Sequence, residues 1–323
     1  MLVNGHWQKK WDPVQKTDNE GRFLRQNSAF KGSLSEHHLK KISEQNAEPA
    51  IKLYVAYICP WATRTLIARS LLGLEKYIPV SVVAPEITDF GWHFAPSDTV
   101  FPGSTAAENE EIEYIHQLYT QSDQNYTGRA TVPVLWDTQE QIIINNESEE
   151  ILRIFNTELR PLHQSELDLY PENFQQAIDA FNNSIYHTLN NGVYRAGFAT
   201  SQQAYEEAFA EVFSTLETLE KHFTRQKFAV ADQLTESDIR LFVTLIRFDL
   251  AYYGLFKTNL KRIADYPALS AYLDRLMQVP AFSQNTWPDH IKAGYYSVKA
   301  LNPTGIVPKG PDLKWFKESV KTG

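Results

Sequence analysis

A single cysteine, Cys59, stands in 323 residues. One thiol excludes an intramolecular disulfide and the stapled scaffolds of small secreted domains, and the compartment this usage implies is the cytoplasm. A basic excess is also missing. Against 31 Lys and Arg stand 39 Asp and Glu, a formal charge of −8, so neither nucleic acid nor an anionic membrane surface is expected as a partner. No apolar run approaches the roughly 20 residues of a membrane span. The opening "MLVNGHWQKKWDP" lacks the charged-then-apolar order of a signal peptide. There are no internal repeats and no low-complexity segments. His37-His38 has no partners at a familiar metal-ligand spacing. The remaining composition, 43% hydrophobic and 22% charged, is that of an ordinary globular protein with length for two domains.

Aromatic residues are plentiful instead, with 16 Tyr and 18 Phe. They suit thick helix packing and equally a site for flat organic ligands. Residues 1–48 show no sustained period and read as an extended arm. From Ile51 the texture changes. Ile51, Leu53 and Val55 alternate as in a strand, "WATRTLIARSLLGL" is helix-compatible up to Gly73, and Tyr77 to Val83 reads as a second strand. An irregular stretch (84–104) precedes an acidic amphipathic helix with Ile112, Ile115 and Tyr119 on one side. "TVPVLW" and "QIIIN" predict two short strands joined at "DTQEQ", and a helix starts near Asn146. The order β-α-β-α-β-β-α is that of a thioredoxin-like α/β domain, expected over 49–160.

An all-helical domain is expected over 161–290, with a tail packing on the body over 291–323. Phe174, Ile178, Phe181, Ile185 and Leu189 recur at helical spacing. Tyr205, Phe209, Val212, Leu216, Leu219 and Phe223 do the same after an expected Thr200–Gln203 capping box. "LTESDIRLFVTLIRFDLAYY" is apolar on most faces and predicts the central buried helix, opened by a Thr235–Asp238 box. Asp249 within it is expected to be a structural carboxylate bonded to Arg247 or a backbone N–H. Asp265 is expected near the N-cap of a further helix, with Pro267 in its first turn.

Three stretches could do chemistry. Cys59 closes a strand and opens a helix, so free N–H groups and the positive end of the helix dipole would face its sulfur and favour the thiolate. Three residues on stands Ala62, not a second cysteine, so a resolving thiol would have to come from outside the chain. An inert packing cysteine is the alternative. Pro133 heads a strand. It is either an edge-strand proline or a cis-bonded one that turns the N–H and C=O of Val132 toward an extended peptide. "NNESEEI" puts Glu147 and Ser148 at a helix start. That is either plain capping or a grip for a ligand carrying both a carboxylate and an ammonium, as an α-amino acid does.

The segments "CPWATRTLIARSLLGLE", "GWHF", "TGRATVPVLWD", "NNESEEI", "VYRAGFA", "LTESDIRLFVTLIRFD", "HIKAGYY" and "NPTGIVPKGP" resemble, collinearly from Phe23 to Pro311, the glutathionyl-hydroquinone reductases. These are the Xi class of glutathione transferases. One departure is Thr63, where many members carry histidine. The resemblance implies that Cys59 is the nucleophile and that Trp92 packs over bound glutathione. It implies that Arg129 pairs a glutathione carboxylate, that Val132 makes backbone bonds to the cysteinyl part, and that Glu147 and Ser148 grip the γ-glutamyl end. Tyr194 and Tyr296 would hydrogen-bond the quinol, with Tyr295 the alternative one position away. Glutathione would be the co-substrate, no metal would be needed, and the protein would be a homodimer. The implied reaction reduces glutathionyl-hydroquinones through a Cys59-glutathione mixed disulfide, the quinol lying in an aromatic pocket between the domains. Two alternatives remain open: an omega-like thiol transferase acting on dehydroascorbate or small disulfides, and a non-catalytic partner-binding protein on the same fold.

Overall fold

The computed structural model describes residues 1–8, 17–44, 49–96, 100–106 and 112–316. The chain divides into two compact units: Met1–Asp12 with Gln26–Leu167, and Pro13–Arg25 with Asp168–Gly323.

In the first unit, β1 (Leu2–Val3) and β2 (His6–Trp7) form a small antiparallel ribbon, followed by α1 (Glu36–Glu44). The elements β3 (Ile51–Val55), α2 (Pro60–Leu71), β4 (Val80–Val82), α3 (Ile115–Ser122), β5 (Val134–Asp137), β6 (Ile142–Asn145) and α4 (Ser148–Thr157) then follow. Their sheet has the order β4-β3-β5-β6, with β3 parallel to β4 and antiparallel to β5, and β6 antiparallel to β5. This is the expected thioredoxin-like topology. Leu53 and Val55 in β3 and Val134 and Leu135 in β5 are fully buried, and each contributes roughly 1.5–3 kcal/mol of transfer free energy. β5 lies inside the sheet, so Pro133 is not an edge-strand proline; the Val132–Pro133 bond is cis.

The first 44 residues do more than form an extended arm. Ser35 caps α1 by accepting from His38 N, and Ser35 N donates to His38 Nδ1. His38 Nε2 reaches Asp137 Oδ2 at 2.7 Å, which docks the helix on the end of β5. Residues 28–32 run along the outer edge of β6: Gly32 N donates to Ile144 O at 2.8 Å, and Asn146 N donates to Phe30 O at 3.1 Å. An uncovered sheet edge would present unpaired N–H and C=O groups. The approach requires glycine, since a Cβ on Gly32 would stand 2.7 Å from Ile144 O.

The helix expected through Ile112 begins only at Ile115. Phe94 N donates to Glu113 O and Ile115 N to Trp92 O, which holds this stretch extended, and Gln117 Oε1 accepts from both Glu113 N and Tyr114 N. Most of the acidic run before it, residues 107–111, lies outside the described residues.

The second unit is helical. It comprises α5 (Gln175–Ile185), α6 (Gly192–Gly197), α7 (Gln202–Phe223), α8 (Glu236–Arg247), α9 (Tyr253–Leu255), α10 (Pro267–Met277), α11 (Pro280–Ser283) and α12 (Pro288–Tyr296). π-helical turns at Tyr186–Asn190 and Phe248–Tyr252 continue α5 and α8. Every residue of α8 is buried, and its Thr235–Asp238 box is formed. Asp238 also accepts from Ala229 N and Tyr272 Oη, and burial pushes its carboxyl up to about 6. Asp249 accepts from Ile263 N and Ala264 N, the structural role expected of it.

One expected cap is displaced. α7 is capped by Ser201, whose Oγ accepts from Ala204 N, because Thr200 N is drawn to Gly21 O. α10 is capped by Tyr266, and its first amides, Ala268 N and Leu269 N, donate to Glu220 of α7. Asp265 stands next to that N-cap and Pro267 at the first helical position, as expected, and the Asp265 carboxylate pairs with Arg262. The expected tail start at 291 falls within α12. Among the described residues no helix is long and apolar enough to cross a membrane.

Candidate active site

In the first unit the sheet presents a thiol, a non-helical backbone and a helix N-terminus. Cys59 occupies the N-cap of α2 in extended conformation, with Pro60 at the first helical position, where its missing N–H interrupts no helical bond. The side chain is half-buried. Its carbonyl accepts from Thr63 N and from Thr63 Oγ1, both at 3.0 Å. The hydroxyl at the position of the family's histidine therefore anchors the first turn. Cys59 Sγ lies 3.4 Å from Val132 O, so the thiol and the backbone ahead of cis-Pro133 meet.

Glu147 caps α4 with extended backbone, and Ser148, buried, is the first helical residue. Ser148 Oγ donates to Glu147 Oε1 at 3.5 Å, and Ser28 Oγ donates to Glu147 Oε2 at 2.9 Å. Glu147 N in turn donates to Asn145 Oδ1 at 2.7 Å. The carboxylate is thus fixed at a helix start whose amides favour an anion. Ser28 had no signal in the sequence, because it is one polar residue in an unpatterned stretch. Trp92 is half-buried, and its carbonyl is tied to Ile115 N at 3.0 Å. Arg129, also half-buried, donates its backbone N–H to Gln26 Oε1 and accepts from Tyr126 Oη.

In the helical unit, Tyr194 on α6 is half-buried, and its hydroxyl meets that of Tyr295 on α12 at 2.6 Å. Tyr295 Oη is also 2.9 Å from Tyr252 Oη, at the end of the π turn after α8. Burial drives the Tyr252 and Tyr295 phenols well above their ordinary range, opposed by the Arg247 guanidinium. Both remain protonated and can relay a proton. Tyr296 does not join this cluster. It is half-buried, its hydroxyl stands beside Gly254, and its carbonyl accepts from Asn302 Nδ2. The structure therefore brings Tyr194 to Tyr295 and leaves Tyr296 apart. Tyr252 was hidden in the sequence by the apolar run that contains it.

The first unit sets a thiol beside the Val132 backbone and a carboxylate at a helix start. The second offers a chain of phenols. Residues 58–158 match the family described as "Glutathione S-transferase, N-terminal domain", and residues 202–275 match "Glutathione S-transferase, C-terminal domain". The chain is 46% identical to the glutathionyl-hydroquinone reductase PcpF of Sphingobium chlorophenolicum, over 96% of each chain. It is similar to the crystal structure of the glutathione-S-transferase Xi from Phanerochaete chrysosporium, with TM-score 0.85 and 42% identity, covering 92% of this chain and 95% of that one. It is also similar to the glutathione-bound structure of YqjG, a glutathione transferase homolog from Escherichia coli K-12. There the TM-score is 0.79 and the identity 47%, covering 83% of this chain and 87% of that one.

Proposed function

The chain belongs to the glutathionyl-hydroquinone reductases, the Xi class of glutathione transferases, and from that premise we propose that it reduces glutathionyl-hydroquinones with glutathione. The observation that carries this reading is the Cys59 sulfur at a helix N-terminus, 3.4 Å from the Val132 carbonyl. A packing cysteine has no need of that company.

The residues fit glutathione part by part. Glu147 suits the γ-glutamyl ammonium, and Ser148 with the first amides of α4 suits its carboxylate. The Val132 backbone suits the cysteinyl peptide, Arg129 a remaining carboxylate, and Trp92 an apolar cover. In the first step the Cys59 thiolate attacks the sulfur of the glutathionyl-hydroquinone. The sulfur–ring carbon bond breaks, and its electron pair goes to the ring carbon, which takes a proton to give the hydroquinone. Cys59–S–S–glutathione remains. A second glutathione thiolate attacks that disulfide, forming glutathione disulfide and restoring the Cys59 thiolate. The proton donor is assigned to Tyr194 with Tyr295, whose hydroxyls meet, rather than to Tyr296. The same family reading carries a homodimer, which sedimentation equilibrium tests, and the single-cysteine usage suits the cytoplasm.

The experiment is a steady-state comparison of glutathionyl-menadiol with the mixed disulfide formed from hydroxyethyl disulfide. A kcat/KM favouring glutathionyl-menadiol by tenfold or more is expected. The reverse order would make the protein an omega-like thiol transferase, and no turnover of either would make it a binding protein.

A further inference from the structure

We propose that Tyr119 is a positioning residue for glutathione, its hydroxyl tying the Val132 segment to the Glu147 segment. The inference rests on the glutathione site proposed above and adds a residue outside the motifs that carry the resemblance.

Tyr119 lies on α3, fully buried. Its hydroxyl donates to Thr131 O at 2.9 Å and accepts from Thr131 N at 3.1 Å and from Asn146 Nδ2 at 2.9 Å. Thr131 Oγ1 also stands 3.2 Å away, and one donor and two acceptor sites are all that a phenol offers. Burial pushes the phenol up, so it keeps the proton it donates. Thr131 immediately precedes Val132, and Asn146 immediately precedes Glu147. Asn146 is pinned from other directions as well. Its Oδ1 accepts from Phe30 N at 3.1 Å, and its carbonyl stands 3.2 Å from Ser28 Oγ, whose proton goes to Glu147.

The Tyr119 ring is held independently by Tyr126, with centroids 5.0 Å apart, and by the edge of Phe30 at 5.6 Å. A phenylalanine would keep that packing and lose only the tie. Two backbone segments that grip one tripeptide must keep a fixed separation, or their ordering is charged against binding. The segment before β5 and the start of α4 are the two ends of the β5–β6 hairpin, and the phenol ties them to each other through one oxygen. The bonds of the Tyr119 hydroxyl go to Thr131 and Asn146 and not to the reacting sulfur. The effect should therefore fall on glutathione affinity rather than on the sulfur exchange.

The test is calorimetric titration of glutathione into the full chain, wild type and Tyr119→Phe, at a temperature where melting curves show both folded, with steady-state KM and kcat beside it. Loss of a buried hydroxyl with three partners predicts a Kd weaker by about tenfold or more, with kcat at saturating glutathione within threefold. Asn146→Ala breaks the tie from its other end, leaves the Tyr119–Thr131 bonds intact, and should give the same pattern. A merely structural tyrosine would lower the melting temperature and leave Kd unmoved. A Kd within threefold of wild type in a folded variant overturns the proposal, as does a loss carried by kcat, or failure of both variants to fold. Wild-type protein that binds no glutathione overturns the functional reading itself, which separates the two failures.

Discussion

At the scale of single residues, Cys59 and the phenols make separable predictions. Cys59→Ala should abolish deglutathionylation while glutathione affinity, measured by titration, stays within a few-fold, because the groups assigned to binding lie elsewhere. Tyr194→Phe and Tyr295→Phe keep their rings and lose one hydroxyl each. Turnover of glutathionyl-menadiol should fall by roughly tenfold or more in both, while turnover of a small glutathione mixed disulfide barely moves. Tyr296→Phe, outside the cluster, should change neither by more than about twofold; a large loss there with none at Tyr295 would return the role to Tyr296. A third residue sets a pH dependence. His116 stacks on Trp7 at 4.5 Å and on Tyr114 at 5.4 Å, and burial pushes its imidazole down to about 4. The unfolded chain binds its proton near 6.5, so between that pH and 4 the folded state holds fewer protons. Stability from the neutral ring is present above pH 6.5 and is lost as pH falls toward 4. His116→Phe keeps the stack without the titration. Urea midpoints at pH 7 and pH 4.5 should show wild type losing ground to the variant at the lower pH; parallel shifts would contradict the assignment.

At the scale of elements, what could be read from the chain depended on whether a local pattern had a local cause. β3 and α8 were legible because alternation and near-continuous apolarity follow from burial, and the Thr235–Asp238 box because both partners lie within one turn. Thr235→Ala should cost about 1 kcal/mol in chemical denaturation, while Thr200→Ala, in the box that does not form, should cost a few tenths. Helix starts whose partners are distant gave no such signal. Glu220 satisfies the start of α10 from α7, and Gly21 diverts Thr200 from another part of the chain. No period within α10 or α7 carries that information. α1 escaped notice because only Ile42 of its nine residues is buried, so its apolar face is too thin to stand out. The site divides the same way. Cys59, Glu147 and Ser148 sit where strand and helix boundaries advertise them. Ser28 and Tyr119 reach Glu147 and Asn146 in one unit, and Tyr252 reaches Tyr295 in the other, through tertiary hydrogen bonds alone.

At the scale of the molecule, one unit carries Cys59, Val132 and Glu147, and the other carries the phenols. The single cysteine then constrains the chemistry of the whole chain. With no second thiol, an oxidised Cys59 cannot close an internal disulfide, so the covalent intermediate proposed above would carry a partner from solution. The most direct measurement is mass spectrometry of the protein after one equivalent of glutathionyl-menadiol, with no free glutathione added. One glutathione adduct should appear, on the peptide containing Cys59, with stoichiometric release of menadiol, and added glutathione should clear it as glutathione disulfide. An unmodified Cys59 in protein that has released menadiol would contradict the account.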